Sequence, residues 1–202
     1  MFARCLLLSF QRGDPLYRHS DAPGGLYGIA EGAVSITVSL DDQDPFIGDL
    51  LQPGSWVGEA AILTDAPRRV GVTATRPTTA LLLPKADFAI IATRIPEAAQ
   101  WLGVLAVSHM DRAMQIATDL MLRDPHSRAA AVLLRLAGLR AGKHTFPVPR
   151  EIDMNHEQLA HIANLSRTTL GAFLRELEAR GTISQSYRRI TILDADALAD
   201  HL

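Results

Sequence analysis

A single change of period governs what this chain can fold into. Up to about residue 92, short apolar runs alternate with turn signals; from Pro96 to about Leu122 the spacing becomes helical, and no further proline interrupts it. That second stretch is roughly 26 residues, about 39 Å at 1.5 Å per residue, longer than a small domain needs. Pro96 suits the first turn of a helix, with Glu97 beside it at the positive end of the dipole. Gly103 is its one weak point. One seven-residue seam runs through Leu102, Ala106, His109, Ala113, Ile116 and Leu120, and another through Gly103, Val107, Met110, Met114, Ala117 and Met121. Two apolar seams predict cover on two sides, one by the chain's own β domain and one by a partner helix. The simpler alternative is a single helix buried in a monomeric core.

Upstream, the runs Cys5–Phe10, Leu26–Ile29, Ala33–Leu40, Trp56–Val57, Val70–Thr75 and Ala80–Leu83 read as strands. Gly13-Asp14-Pro15, Pro23-Gly24-Gly25, Glu31-Gly32, Asp41-Asp42-Gln43-Asp44-Pro45 and Pro53-Gly54 separate them. Ala33–Leu40 alternates, with Val34, Ile36, Val38 and Leu40 on one face and Ser35, Thr37 and Ser39 on the other. Residues 1–92 therefore read as β, and strands this short and evenly spaced predict a jelly roll or barrel.

Composition adds limits. With 202 residues, 48% hydrophobic and 21% charged, the chain can bury a core and is not disordered throughout. Residues 1–122 carry nine Lys+Arg against thirteen Asp+Glu, net −4; residues 123–202 carry eleven against nine, net +2. Stopping before Asp194, Asp196 and Asp200 leaves eleven against six, net +5 for 123–193. The second half can approach a polyanion. One cysteine, Cys5, excludes an internal disulfide, a Cys-based zinc site and an iron–sulfur cluster built from this chain alone. Met1–Phe10 has an apolar run but no basic leader and no clear small-residue cleavage site, so no signal peptide is expected, and no stretch reaches the roughly 20 apolar residues of a membrane span. The expectation is a cytoplasmic protein without a membrane partner.

The region after residue 123 has a specific grammar. Asp124 and Pro125 open a helix as N-cap and first helical residue, Ala129–Leu136 continues it, and Gly142–Arg150 is a turn-rich link. Asn155 caps the next helix with Gln158 three residues on, close to a capping box. Leu159, Ala160 and Ala163 face inward, Asn164 stands where the chain must turn sharply, Leu165 packs the turn and Ser166 caps a second helix anchored by Leu170 and Phe173. This is the pattern of a helix-turn-helix. It leaves Ser166, Arg167, Thr168, Thr169 and Ala172 at the exposed start of the second helix, where side chains reach base edges and phosphates. Gly181–Leu193 reads as a β-hairpin wing whose tip, Tyr187-Arg188-Arg189, suits a flanking phosphate. An ordinary helical hairpin with a solvated basic face is the alternative.

An enzyme fits poorly. His156-Glu157-Gln158-Leu159-Ala160-His161 has one residue too many for a zinc-protease motif, since a five-residue gap turns the second histidine roughly 140° from the first. Residues 1–92 hold only His19, too few for a metal-binding jelly roll, and Gly54-Ser55-Trp56-Val57-Gly58 is not a nucleophile elbow. A nucleotide-binding module acting on a protein partner is the other rival, but it needs no Arg167 or Arg188-Arg189.

On these residues the whole chain resembles the Crp/Fnr family of bacterial transcription regulators. Leu165-Ser166-Arg167-Thr168-Thr169-Leu170-Gly171 is similar to the family's recognition-helix start. Gly58-Glu59-Ala60-Ala61-Ile62-Leu63 followed by Pro67-Arg68 is similar to its phosphate-binding cassette, and Gly25-Leu26-Tyr27-Gly28-Ile29 with Gly32 and Val34 to its β-roll entry. The resemblance implies an α+β chain: a double-stranded β-helix (jelly roll) over 1–95, a dimerisation helix over 96–122 and a winged helix-turn-helix over 123–202. It also implies a homodimer on a near-palindromic double-stranded DNA site, with RNA polymerase as a further partner. In nucleotide-binding relatives the cassette glutamate holds the ribose and the arginine the cyclic phosphate; Glu59 and Arg68 match, with Gly58 before them. The next position is Arg69, where relatives have a small or hydroxylated residue, and a second arginine could fill the pocket. The central-helix positions that give the purine two hydroxyls are Ala113 and Met114, which have none. Glu59 and Arg68 are then alternatively a structural ion pair. The expectation is an effector other than cAMP, or none; the alternative is a cAMP- or cGMP-responsive regulator. His109 is the candidate axial ligand of a haem sensor, although a lone histidine on a helix more often packs or caps. Thr168 and Ala172 replace a glutamate and an arginine of the cAMP receptor's recognition helix, so the half-site should differ.

Overall fold

A computed structural model describes residues 2–38, 46–140 and 150–202. The turn signal Asp41–Pro45, the end of the run Ala33–Leu40 and residues 142–149 of the link lie outside the described residues. The chain divides into two compact units, Met1–Ala113 and Met114–Leu202.

The first unit is a two-sheet β-roll. Its strands are β1 (Leu6–Phe10), β2 (Pro15–Tyr17), β3 (Gly25–Glu31), β4 (Val34–Val38), β5 (Phe46–Leu51), β6 (Trp56–Val57), β7 (Gly71–Ala74) and β8 (Thr78–Pro84). They form two four-stranded sheets, ordered β1-β8-β3-β6 and β2-β7-β4-β5. Every pairing in them is antiparallel. One core cluster draws on both sheets and includes Ile29, Val34, Leu51, Val57, Val72 and Ala80. The predicted alternation of β4 does not extend to burial, since Val34 and Ser35 are both buried. Ser35 can be buried because its hydroxyl donates to the Thr73 carbonyl on β7 at 3.3 Å.

The expectation that residues 1–92 are all β needs correction. Two helices lie among the strands, α1 (Glu59–Thr64) and α2 (Lys85–Arg94), and β2 and β5 are additional strands. Phe88 and Ile91 of α2 join Leu26, Leu83, Ala98 and Leu102 in a second core cluster. Two of those residues, Ala98 and Leu102, belong to α3 (Ala98–Met121), 24 residues and therefore about 36 Å long. Pro96 and Glu97 precede α3 rather than opening it. The Ile95 N–H closes α2 on Ile91, and the Ala98 N–H closes a turn back to Ile95.

The second unit contains the end of α3 together with α4 (Pro125–Leu136), β9 (Glu151–Ile152), α5 (His156–Ile162), α6 (Arg167–Ala179), β10 (Ile183–Ser186), β11 (Arg189–Ile192) and α7 (Ala195–Ala199). The caps read from sequence are present. Asp124 accepts from the Ser127 N–H with Pro125 in the first turn, Asn155 and Gln158 form a complete capping box, and Ser166 accepts from the Thr169 N–H. Each such cap contributes about 1 kcal/mol. Asn164 turns the chain with φ 49°, in the left-handed region. The wing gains a strand not foreseen: β9 pairs with β11, so the sheet order is β10-β11-β9. The terminal acidic residues are not merely a tail, because Asp194 caps α7 through the Asp196 and Ala197 N–H groups.

Candidate functional site

The cassette of the first unit is built around Gly58. This residue caps α1 with φ 108°, which only glycine adopts without strain. A Cβ there would lie 2.5 Å from Arg68 Nη1 and 2.7 Å from the Gly25 carbonyl oxygen. Glu59 is 7% exposed. Its Oε2 accepts from the Gly58 N–H at 3.0 Å, and its Oε1 accepts from His109 Nδ1 at 2.8 Å. Burial alone would raise the Glu59 pKa. The hydrogen bond and charge of His109, with the Glu59 and Gly58 N–H groups, outweigh it and hold the carboxyl below its ordinary value. The group is ionised at neutral pH and only accepts, so His109 Nδ1 carries the hydrogen.

Arg68 is 4% exposed. Its Nη1 donates to the Gly58 carbonyl at 3.2 Å and its Nη2 to the Gly25 carbonyl at 2.7 Å. The guanidinium lies 4.2 Å from the Tyr17 ring centroid, a cation–π distance. Burial pushes the Tyr17 hydroxyl pKa up, and Arg68 opposes that. The ion-pair reading of Glu59 and Arg68 is thereby corrected: His109 partners the carboxylate, and two backbone carbonyls partner the guanidinium. Arg69 is exposed and does not fill the cassette. Ala113 and Met114 are both exposed on α3.

Two residues the sequence reading left without this role hold α3 to the β-roll. His109 takes Glu59; three residues on, Arg112 pairs with buried Asp49 through Nε and donates from Nη2 to Asp49 Oδ1 at 3.1 Å and to the Leu50 carbonyl at 2.8 Å. The available signal was a histidine and an arginine three apart on α3, hence on one face of the helix.

The Glu59–His109 bond has a sign in acid. A carboxyl depressed on folding stabilises the fold fully above its unfolded value near 4.5, and the contribution fades as pH falls through the folded value. Urea midpoints of the wild type should therefore drop below pH 4.5. In His109→Leu only the Glu59 and Gly58 N–H groups are left to oppose burial, so this part of the acid dependence should shrink. Parallel curves for the two proteins would exclude the bond as its source.

In the second unit, α6 buries Leu170, Gly171, Phe173 and Leu174 and exposes Arg167, Thr168 and Ala172. Thr169 is half-buried and its hydroxyl lies 2.8 Å from Ser166 Oγ, so both take part in the cap. The wing turns at Tyr187 and Arg188. Tyr187 is 90% exposed, and Arg188 has φ 57°. Arg189 is corrected as a tip residue: it opens β11, and its guanidinium pairs with Asp153 at 3.0 Å and Glu151 at 3.4 Å. A cleft of about 230 Å³ brings Arg167 of α6 together with His156, Tyr187 and Arg188.

Comparison with known proteins agrees with this division. Residues 7–94 match the cyclic nucleotide-binding domain family and residues 127–201 the Crp-like helix-turn-helix domain family. The chain is 26% identical over 193 residues to the cyclic AMP receptor protein of Thermus thermophilus, spanning 95% of this chain and 85% of that one. It is also 26% identical over 193 residues to a CRP-like cAMP-activated global transcriptional regulator of Mycobacterium tuberculosis, across 95% and 86%. Among solved structures, FixK2 of Bradyrhizobium japonicum superposes with a TM-score of 0.78 at 18% identity, covering 97% of this chain and 96% of that one. A CRP-family transcriptional regulator of Thermus thermophilus gives 0.71 at 23% identity, covering 96% and 95%.

Proposed function

Because this chain belongs to the Crp/Fnr family of transcription regulators, with a cyclic nucleotide-binding domain followed by a Crp-like helix-turn-helix, we propose that it is a homodimeric, sequence-specific DNA-binding regulator whose effector is not cAMP. One observation carries the DNA half: α6 is capped by Ser166 and presents Arg167, Thr168 and Ala172 outward while its opposite side is buried. In this reading 1–95 senses, 96–122 pairs two copies and 123–202 reads DNA in the cytoplasm, with RNA polymerase as the downstream partner. The second seam of α3 supports pairing, since Val107, Met110, Met114 and Met121 are each more than half exposed in a single chain.

Arg167 is the base reader. Arg167→Ala should cost about 1–3 kcal/mol of specific binding by relaxing a guanine contact. Arg188→Ala should weaken binding to every sequence and reduce the salt slope by about one. Sites from unbiased selection should be near-palindromic with half-site centres about 34 Å apart. Only non-palindromic sites would contradict the symmetric dimer.

The effector reading rests on where the cassette's charges already go. A cyclic phosphate would take Arg68 from two carbonyls, a ribose would take Glu59 from His109, and Ala113 and Met114 offer no hydroxyl in return. Each buried hydrogen bond lost costs about 1–3 kcal/mol, so cAMP and cGMP should show no micromolar binding by calorimetry. The second reading, a cyclic-nucleotide-responsive regulator, is favoured by the retained Glu59 and Arg68. Micromolar binding that switches DNA affinity would establish it.

A further inference from the structure

Arg128, near the start of α4, gathers three backbone carbonyls. Its Nη1 donates to Leu122 at 2.7 Å, its Nε to Ala163 at 2.8 Å and its Nη2 to Asn164 at 3.4 Å. Leu122 immediately follows α3, Ala163 caps the end of α5, and Asn164 is the left-handed turn residue two positions before the cap of α6. Carbonyls at helix ends lack intrahelical partners and carry the negative end of the dipole. A planar guanidinium satisfies several at once; an ammonium is a point donor. A second tie runs beside this one. Asp119, fully buried in the last turn of α3, accepts from Arg135 Nε of α4 at 2.8 Å and also pairs with Arg140. Arg135 is 2% exposed. Such a buried pair adds little net stability, and its best-attested use is to fix register.

We propose that Arg128 is a positioning residue for DNA recognition, joining the end of α3 to the turn that launches α6, with Asp119–Arg135 fixing the register of α3 on α4. The inference rests on the DNA-binding reading above. Through it, the place of each recognition helix follows from the end of the helix that pairs the two copies.

The test is fluorescence anisotropy of the full chain on a selected site and on a scrambled duplex at one salt concentration. Arg128→Lys keeps the charge but cannot span three carbonyls. Specific affinity should fall about tenfold, the scale of one to two hydrogen bonds, while scrambled-duplex affinity and the circular dichroism spectrum hold. An equal loss on both duplexes, or none, overturns the positioning role, because charge or fold stability alone would then account for Arg128. If Arg128→Lys fails to fold, the triple variant Asp119→Leu/Arg135→Leu/Arg140→Leu supplies the readout, since it replaces the whole charged group and leaves no arginine without its carboxylate. Its specific-to-scrambled ratio should also fall, and an unchanged ratio overturns the register role. A wild type that selects no site overturns the DNA-binding reading itself; a selecting wild type with an unchanged ratio in both variants overturns only this inference.

Discussion

Met110→Glu should convert a dimer of 44 kDa, twice 22.0 kDa, into a monomer at micromolar concentration by sedimentation. Met110 is 58% exposed in the α3 seam, between Val107 and Met114. In a symmetric pair the same patch meets itself, so one substitution places two carboxylates across the twofold axis. Unpaired buried charges of that kind cost several kcal/mol. The effect on DNA should exceed the effect on assembly. A dimer engages its second half-site as an intramolecular event, and losing that link lowers affinity by about 10²–10⁴ without touching a base contact. Ala106→Glu should do less, because Ala106 is half-buried on the other seam. A wild-type monomer at micromolar concentration would remove the seam argument.

Arg68→Ala should destabilise the purified protein in the absence of any ligand. The two carbonyls it serves, on Gly25 and Gly58, would lose their donors, at about 1–3 kcal/mol each. Stacking on Tyr17 adds about 0.5–2 kcal/mol. Against a typical domain stability of about 5–15 kcal/mol, this is a large fraction. Urea unfolding followed at the tryptophans would measure it. The opposite result would be equally informative. An arginine kept only for a ligand phosphate is a buried charge without a task in the free protein, and removing it would leave stability unchanged or raise it.

The parts legible from sequence were those set by neighbours in the chain. Asn155 with Gln158, Ser166 with Thr169, Asp124 with Pro125, and Asn164 as the left-handed residue are local devices, and the structure has all of them. The missed elements lacked such markers. Helix α1 is six residues long and its cap is a left-handed glycine; α2 starts after Pro84 without a side-chain cap, so neither carries a local start signal. Strand β5 carries Gly48 and Asp49, which suggest a loop, yet Asp49 is held by Arg112 from 63 residues away. The missed site chemistry was long-range in the same sense. Nothing near Glu59 announces His109, and nothing near Arg189 announces Asp153. Arg135 did leave a trace, as a charge inside the apolar run Ala129–Leu136, where only a buried partner makes it tolerable.

The wing turn places two demands on one residue. Arg188 stands at φ 57°, where an L side chain costs about 1–2 kcal/mol and glycine costs almost nothing. Glycine would relax the hairpin and discharge its tip. In the proposed role of Arg188 on DNA phosphate, stability and affinity therefore trade against each other at this position, and a library screened for thermal tolerance alone should drift toward a sturdier wing with a weaker grip.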